Sequence, residues 1–295
     1  MEAAKKVDEN KAPAKDRKPI FIALGVLISV IVIYFGYQHI MYVSTDDAQI
    51  DGHYVLLAAK VAGYVKAVHV IEGQKVKKGD VLIEIDDRDY KNTLDQEQAD
   101  LAAVQVNLQD AERNYKRLSE LFKNGAVSRQ QYDNASAVYF STKAKFDSIT
   151  ARVAQAQLNL ENTKLMAPAD GQIAKTSVEV GQLASPGVPL VGFVDSTERW
   201  VEANFKETDL SSIRNGAAVD VSVDAIPSRA FEGRVAAMSS ATGAIFSLLP
   251  PDNATGNFTK VVQRVPIRID LPGLSPHAID ELRVGLSATV KVHRH

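Results

Sequence analysis

The sequence contains no cysteine among its 295 residues. Disulfide bonds and thiolate metal sites are therefore excluded, and the absence is compatible with either redox compartment. Aromatic residues make up only 7% of the chain, and the formal net charge is −2. A chain this close to neutrality has no global basic field, so its composition does not support nucleic acid binding. The length is sufficient for two or three domains.

One strongly apolar stretch without a charged residue lies near the N-terminus. Residues 20–37 read IFIALGVLISVIVIYFGY, and about 20 apolar residues span a bilayer. The stretch predicts an uncleaved transmembrane helix over residues 20–38, because it ends without a signal-peptidase site. Basic residues lie before it in residues 1–19, and the next Lys or Arg is Lys60. The positive-inside rule then predicts a cytoplasmic tail at residues 1–19, with everything after the span on the outer side of the membrane.

Residues 88–163 carry apolar side chains at a spacing of seven, in two series separated by a short polar segment. The first series with its interleaved positions is Leu94, Leu101, Leu108, Tyr115 and Phe122 with Val104, Ala111 and Leu118. The second is Tyr132, Tyr139, Phe146, Val153 and Leu160 with Ala135, Thr142, Ile149 and Ala156. Heptads of this kind are typical of a coiled-coil seam.

The segment between the two series carries signals for the end of one helix and the start of another. Gly125 suits the left-handed position that ends a helix, and Ser128 with Gln131 forms a capping box. We expect an antiparallel α-helical coiled-coil hairpin, each helix about 50 Å long, extending into solvent. Two ordinary core helices of a globular domain are the alternative.

Two segments on either side of this hairpin, residues 55–87 and 164–194, repeat one glycine pattern. Gly63, Gly73 and Gly79 correspond at a constant offset to Gly171, Gly181 and Gly187. We interpret these six as turn residues, because glycine is the default where a turn needs a positive φ. The predicted strands are Val65–Val70 and Val81–Ile85 in the first half, and Ile173–Val178 and Pro189–Val194 in the second. Two such halves are expected to pair into one small flattened barrel.

From residue 195 onwards, short apolar segments alternate with turns, which predicts a β-barrel domain over residues 195–295. Residues 44–54 are predicted to be a strand or linker that joins this barrel region. One loop carries Phe246, Leu248 and Leu249 among Gly, Pro and Asn. Apolar side chains on such a loop indicate a surface that contacts a transporter or the membrane. The alternative is a loop folded on its own apolar side chains.

The repeat resembles a biotinyl/lipoyl domain split by an inserted hairpin. Behind an N-terminal anchor, this arrangement resembles the periplasmic adaptors, or membrane fusion proteins, of the HlyD/EmrA family. The segments Thr45–Ala48, Ala203–Thr208 and Lys260–Ile269 are also similar to EmrA-type multidrug adaptors. The fold class that follows is mainly β with a long α-helical hairpin. The hairpin is shorter than in the best-known EmrA.

The resemblance implies a non-enzymatic adaptor of a tripartite efflux pump, without a cofactor. Its partners would be an inner-membrane transporter of the major-facilitator type, a TolC-type outer-membrane channel, and further copies in a trimeric or hexameric ring. The exported compounds would be drugs or other hydrophobic or aromatic molecules. The family's channel-docking motif is an Arg, a Leu four residues on and a Ser seven further. It falls on Arg117, Leu121 and Ser128.

Three alternatives stay open at the level of the sequence, and one of them is an envelope module that binds ligands. The same architecture serves adaptors of type I protein secretion. From another class, the repeat could be the carrier domain of an acyl- or carboxyl-transferring enzyme. The modified lysine of such a domain lies between the halves, where the hairpin lies here; Lys77 and Lys78 occupy another turn and are interpreted as solvated charges.

No catalytic or metal-binding pattern is present in the sequence. It has neither a Walker loop nor a dinucleotide fingerprint, and its six histidines lack the spacing of a metal cluster. The run Asp86-Asp87-Arg88-Asp89 is interpreted as a helix start whose carboxylates complement the helix dipole, rather than as a catalytic carboxylate pair.

Overall fold

The computed structural model describes residues 41–246 and 262–294, which form two compact units. The barrel unit contains the described residues up to Asp51, those from Arg199 to Ser275, and those from Leu282 onwards. The hairpin unit contains Gly52–Glu198 and Pro276–Glu281. The predicted tail and transmembrane helix lie outside the described residues. Within the two described ranges, no helix is both long and apolar enough to cross a membrane.

The described residues form twelve strands and three α-helices, with 3-10 turns at Leu210–Ser212 and Gly243–Phe246. In chain order they are β1 (Tyr42–Ala58), β2 (Gly63–Val68), β3 (Lys75–Val76), β4 (Val81–Ile85), α1 (Arg88–Lys123), α2 (Arg129–Glu161), β5 (Lys164–Met166), β6 (Gly171–Thr176), β7 (Leu183–Ala184), β8 (Pro189–Lys206), β9 (Ala218–Val223), β10 (Ala230–Met238), β11 (Arg264–Asp270), α3 (Pro276–Glu281) and β12 (Ser287–His293).

The barrel unit is built on the strand order β1-β12-β9-β10-β11-β8, and an additional pairing of β1 with β8 closes the ring. Side chains along its strands alternate between core and solvent, as in β9, where Val219, Val221 and Val223 are buried. The barrel predicted from the sequence is therefore present. The barrel also includes β1, a strand that precedes the hairpin in the chain and contains the whole 44–54 segment.

The two halves of the repeat exchange short strands in the hairpin unit. β7 of the second half pairs with β2 of the first, and β3 of the first half pairs with β6 of the second. Corresponding turns are held in the same way: Gly73 N–H donates to Ile173 O, and Gly181 N–H donates to Val65 O, both at 2.8 Å. The halves thus enclose one shared core, whose largest fully buried side chains include Phe193 and Ile173.

The interpretation of all six repeat glycines as turn residues is wrong for the first of each half. Gly73, Gly79, Gly181 and Gly187 have φ between +81° and +89°, as the turns require. Gly63 and Gly171 instead begin strands β2 and β6, at places where no side chain fits. A Cβ on Gly63 would lie 2.5 Å from Ile85 Cγ2, and one on Gly171 would lie 2.4 Å from Phe193 Cζ. Both strands also begin and end two residues earlier than predicted.

Helices α1 and α2 pack against each other in opposite directions. Phe122 near the end of α1 meets Tyr132 near the start of α2, whereas Glu97 early in α1 lies 3.6 Å from Arg152 late in α2. The buried residues all occupy heptad positions: Leu94, Val104, Ala135, Ile149 and Ala156. At about 1.5 Å per residue, the 36 residues of α1 extend about 54 Å.

Candidate functional site

The end of the hairpin is the part of the described structure that carries the predicted docking residues, and its first component is the end of α1. Gly125 has φ +71°, its N–H donates to Phe122 O at 3.0 Å, and Ala126 N–H donates to Leu121 O at 2.9 Å. This pair of hydrogen bonds is a Schellman motif, which satisfies carbonyls that a helix end otherwise leaves unpaired. The sequence correctly located this helix end at Gly125.

The second component is the start of α2, which is closed by the predicted capping box. Gln131 N–H donates to the Ser128 hydroxyl oxygen at 3.3 Å, and Ser128 N–H donates to Gln131 Oε1 at 2.9 Å. Two otherwise unpaired amides are satisfied reciprocally in this way. Only the segment from Asn124 to Ser128 therefore separates two helices whose ends are both capped.

The structure places Arg117 and Leu121 one turn apart on α1, so they share a face of the helix. Arg117 is exposed and donates to Asn114 Oδ1 at 2.8 Å, while Leu121 is 38% exposed. Ser128 is also exposed. It lies two residues after Ala126, whose N–H is hydrogen-bonded to the Leu121 carbonyl oxygen. The end of the hairpin thus presents a guanidinium, an apolar side chain and a capping hydroxyl to solvent.

Aromatic side chains fill the seam directly behind these residues. Phe122 stacks on Tyr132 with centroids 5.0 Å apart, and the Tyr115 and Tyr132 hydroxyl oxygens are 3.4 Å apart. The hydrogen bond between the two hydroxyl groups is the main reason that the pKa of Tyr132 is raised. The heptad pattern identified each of these residues but did not show that they form one cluster, since that depends on how the helices are aligned.

The predicted transporter-facing loop is only partly within the described residues. The backbone of Phe246 ends the 3-10 turn Gly243–Phe246, and its neighbour Ile245 is 68% exposed. Leu248 and Leu249 lie outside the described residues. Ile245 was missed by the sequence analysis, although it belongs to the same apolar stretch.

The charged residues at the start of α1 form ion pairs with their neighbours in the chain. Arg88 is hydrogen-bonded to Asp86, with Nη2 2.6 Å from Oδ2, and this contact is the main cause that lowers the pKa of Asp86 to about 2. The hydrogen bond from Lys91 lowers the pKa of Asp87. Asp87 is the N-cap residue of α1, but its side chain makes no capping hydrogen bond. Asp89 is the acidic residue in the first turn of the helix. Within the described ranges, no group of three or more His, Cys, Asp or Glu side chains could hold a metal ion.

Comparison with family models places this architecture among known proteins. Residues 53–195 match the barrel-sandwich hybrid domain of RND membrane fusion proteins, and residues 199–245 match a CusB-like beta-barrel domain.

Two curated relatives and one solved structure agree with these matches. The chain is 33% identical to the multidrug export protein EmrA of Haemophilus influenzae, over 96% of this chain and 85% of that protein. It is 35% identical to the fatty acid resistance protein FarA of Neisseria gonorrhoeae, over 84% of this chain and 75% of that protein. The fold is similar to that of the membrane fusion protein Spr0693 from Streptococcus pneumoniae R6. The TM-score is 0.62 at 16% identity, covering 86% of this chain and 99% of that chain.

These findings define the class of protein as the membrane fusion proteins, which are structural adaptors and not enzymes. Within that class, the chain belongs to the EmrA-type adaptors of multidrug efflux. The family resemblance seen in the sequence is confirmed, and the alternative of a transferase carrier domain is set aside.

Proposed function

We propose that this protein is the inner-membrane-anchored periplasmic adaptor of a tripartite efflux pump. It links an inner-membrane transporter of the major-facilitator type to a TolC-type outer-membrane channel. The observation that carries this proposal is the exposed end of the hairpin, with Arg117, Leu121 and Ser128 held on two capped helices. Residues 20–38 anchor the chain in the bilayer, with residues 1–19 in the cytoplasm and the bulk in the periplasm.

The exported compounds are drugs or other hydrophobic or aromatic molecules. The names of two relatives support this class, since one is a multidrug export protein and the other a fatty acid resistance protein. We expect the transporter to take hydrophobic compounds of this kind from the bilayer. The same evidence favours small amphiphilic compounds over the polypeptides of a type I secretion system.

Channel docking at the end of the hairpin follows from the chemistry of its three residues. Arg117 offers a forked set of donors suited to carbonyl or carboxylate oxygens. Leu121 adds an apolar side chain one turn further along the same face, where it can enter a groove between the channel's helices. Ser128 gives a small surface that allows close approach, in addition to its capping role.

Two further kinds of contact belong to the proposal: contacts between copies of the protein, and contacts of the apolar loop with the transporter or the membrane. Several copies form a trimeric or hexameric ring around a central conduit, in which the hairpins stand side by side as coiled coils. Phe246, Leu248 and Leu249 contact the transporter or the membrane surface. The exposed side chain of neighbouring Ile245 supports an apolar contact at this loop.

The proposal is tested by deleting the gene in the bacterium that carries it. The deletion should increase accumulation of a fluorescent hydrophobic dye and lower the inhibitory concentration of several hydrophobic drugs. Wild-type protein should restore both, whereas a chain in which a short linker replaces residues 88–163 should not. Unchanged accumulation and unchanged drug susceptibility in the deletion strain would reject the efflux role.

A further inference from the structure

The two lateral sides of the hairpin expose different apolar residues near its distal half. Tyr139 faces the seam and stacks on Tyr115, while its two neighbours, Val138 and Phe140, are 54% and 56% exposed. An α-helix turns by about 100° per residue, so Val138 and Phe140 emerge on opposite sides of the seam. The hairpin therefore has a Val138 side and a Phe140 side.

The Val138 side carries a groove between the two helices with a volume of ≈ 410 Å³. The small side chain of Ala111 leaves room on α1, and Val138 and Thr142 contribute from α2. Two guanidinium groups line the same groove: Arg113 donates to Asp110 at 3.1 Å, and Arg117 to Asn114 at 2.8 Å.

On the Phe140 side, an exposed aromatic ring packs against two tyrosine rings of the seam. The Phe140 ring lies 5.1 Å from Tyr139 and 6.1 Å from Tyr115, between centroids. These contacts fix the ring while leaving more than half of the side chain in water. An exposed aromatic residue with a fixed geometry is the kind of side chain that anchors protein interfaces.

The ring and the groove lie at the same level along the hairpin. Phe140 packs on Tyr115, and Asn114, the residue before Tyr115, lines the groove on the opposite side. A neighbouring copy placed beside the first, without displacement along the hairpin, therefore brings its Phe140 to the groove.

We propose that Phe140 of each copy inserts into the Val138-side groove of the next copy around the ring. This inference rests on the ring assembly in the proposed function and names the surfaces that form it. The contact joins two different surfaces, and such a contact closes into a ring when each copy is related to the next by a pure rotation. The guanidinium of Arg113 then meets the face of the inserted ring, a favourable cation–π arrangement.

The absence of native cysteine allows this contact to be tested directly in the full-length protein in its membrane. We expect Asn114→Cys combined with Phe140→Cys to give covalent dimers and higher multimers with a short thiol cross-linker. Neither single variant should give them, because two copies of one residue do not meet. The matched control is Asn114→Cys with Ala137→Cys. Ala137 is also exposed, but it lies about 200° around α2 from Tyr139, so it is on the back of the helix and faces away from the seam.

Two results would overturn the proposal. Covalent dimers from Phe140→Cys alone would show that like sides meet, and the head-to-tail arrangement would be wrong. Absence of multimers from the double variant, in a protein that amine-reactive cross-linkers still trap as a ring, would show that other surfaces meet; the proposed function would then stand without this interface. An intact cross-linking ladder, together with unchanged drug susceptibility in the deletion strain, would instead contradict the proposed function alone.

Discussion

The ring of Tyr115 on α1 stacks on that of Tyr139 on α2, with centroids 5.2 Å apart and planes inclined by only 2°. Aromatic pairs of this kind contribute about 0.5–1.5 kcal/mol beyond the area they bury. We expect a double-mutant cycle of Tyr115→Leu and Tyr139→Leu to show a coupling of about this size. Denaturant unfolding followed by helical circular dichroism measures it. A parallel cycle of Tyr115→Leu with Tyr54→Leu, an exposed tyrosine on β1, should give no coupling; equal values in both cycles would contradict the prediction.

Gly171 is predicted to be sensitive to a single methyl group, because a Cβ there would lie 2.4 Å from both the Phe193 ring and the Val194 carbonyl oxygen. Overpacking of a core typically costs about 1–3 kcal/mol. Gly171→Ala should therefore lower the melting temperature by several degrees. Gly243→Ala is the matched control, since nothing lies within 4 Å of a Cβ at that position. Equal melting temperatures for the two variants would show that the core of the repeat adjusts freely.

Ser128→Asp should separate the capping role of Ser128 from channel docking. Asp caps helices about as well as Ser, so circular dichroism and expression should remain normal. A charge and extra bulk at a close-packed contact should nevertheless abolish drug resistance. Leu121→Asp and Arg117→Ala should behave in the same way.

The control for these variants is Asn134→Asp, which adds a charge at an exposed position of α2 outside the motif. It should leave resistance unchanged. If cells that express normal amounts of Ser128→Asp and Leu121→Asp export as well as wild type, the end of the hairpin does not dock the channel.

Asp86 gives a prediction for the dependence of stability on pH. Its pKa is lowered from 3.8 to about 2, chiefly by the hydrogen bond from Arg88. A lowered pKa in the folded protein means that the ionised form stabilises it at higher pH and that this stability is lost as the carboxylate takes up a proton. The stability difference between wild type and Asp86→Asn should be constant at neutral pH and should decline between about pH 4 and pH 2.

The side-chain carboxyl signal of Asp86, followed by NMR titration, measures this pKa directly. Arg88→Gln should move the midpoint upwards towards 3.8. A midpoint near the ordinary value in the wild-type protein would show that the contact with Arg88 does not persist in solution.

The elements with local signals were predictable from the sequence. The heptads gave the two helices, and Gly125 and the Ser128 capping box gave their ends, because those signals involve residues within a few positions of each other. Features that depend on distant parts of the chain were not predictable. Gly171 is required by Phe193, which approaches only after β6 pairs with β8.

In the candidate site too, residues with a local signal were predictable and those that depend on helix packing were not. Arg117, Leu121 and Ser128 were found through a family motif, and the capping role of Ser128 was read directly from Gln131. The opposite placement of Val138 and Phe140 was missed, since neither occupies a heptad position. Their roles depend on the packing of α1 against α2. Residues of α1 form the groove beside Val138 on one side, and Tyr115 of α1 contacts the Phe140 ring on the other.

The internal hydrogen bonding of the hairpin end has a consequence for how tightly it can bind. The Schellman motif at Gly125 and the capping box at Ser128 leave few backbone torsions free between the two helices. Ordering a flexible loop on association normally subtracts from affinity, as does fixing each mobile side chain. Because this segment is already ordered before it meets a partner, most of its contact free energy remains available as affinity. Contacts from only a few side chains can then give an affinity for which a flexible loop would need more contacts.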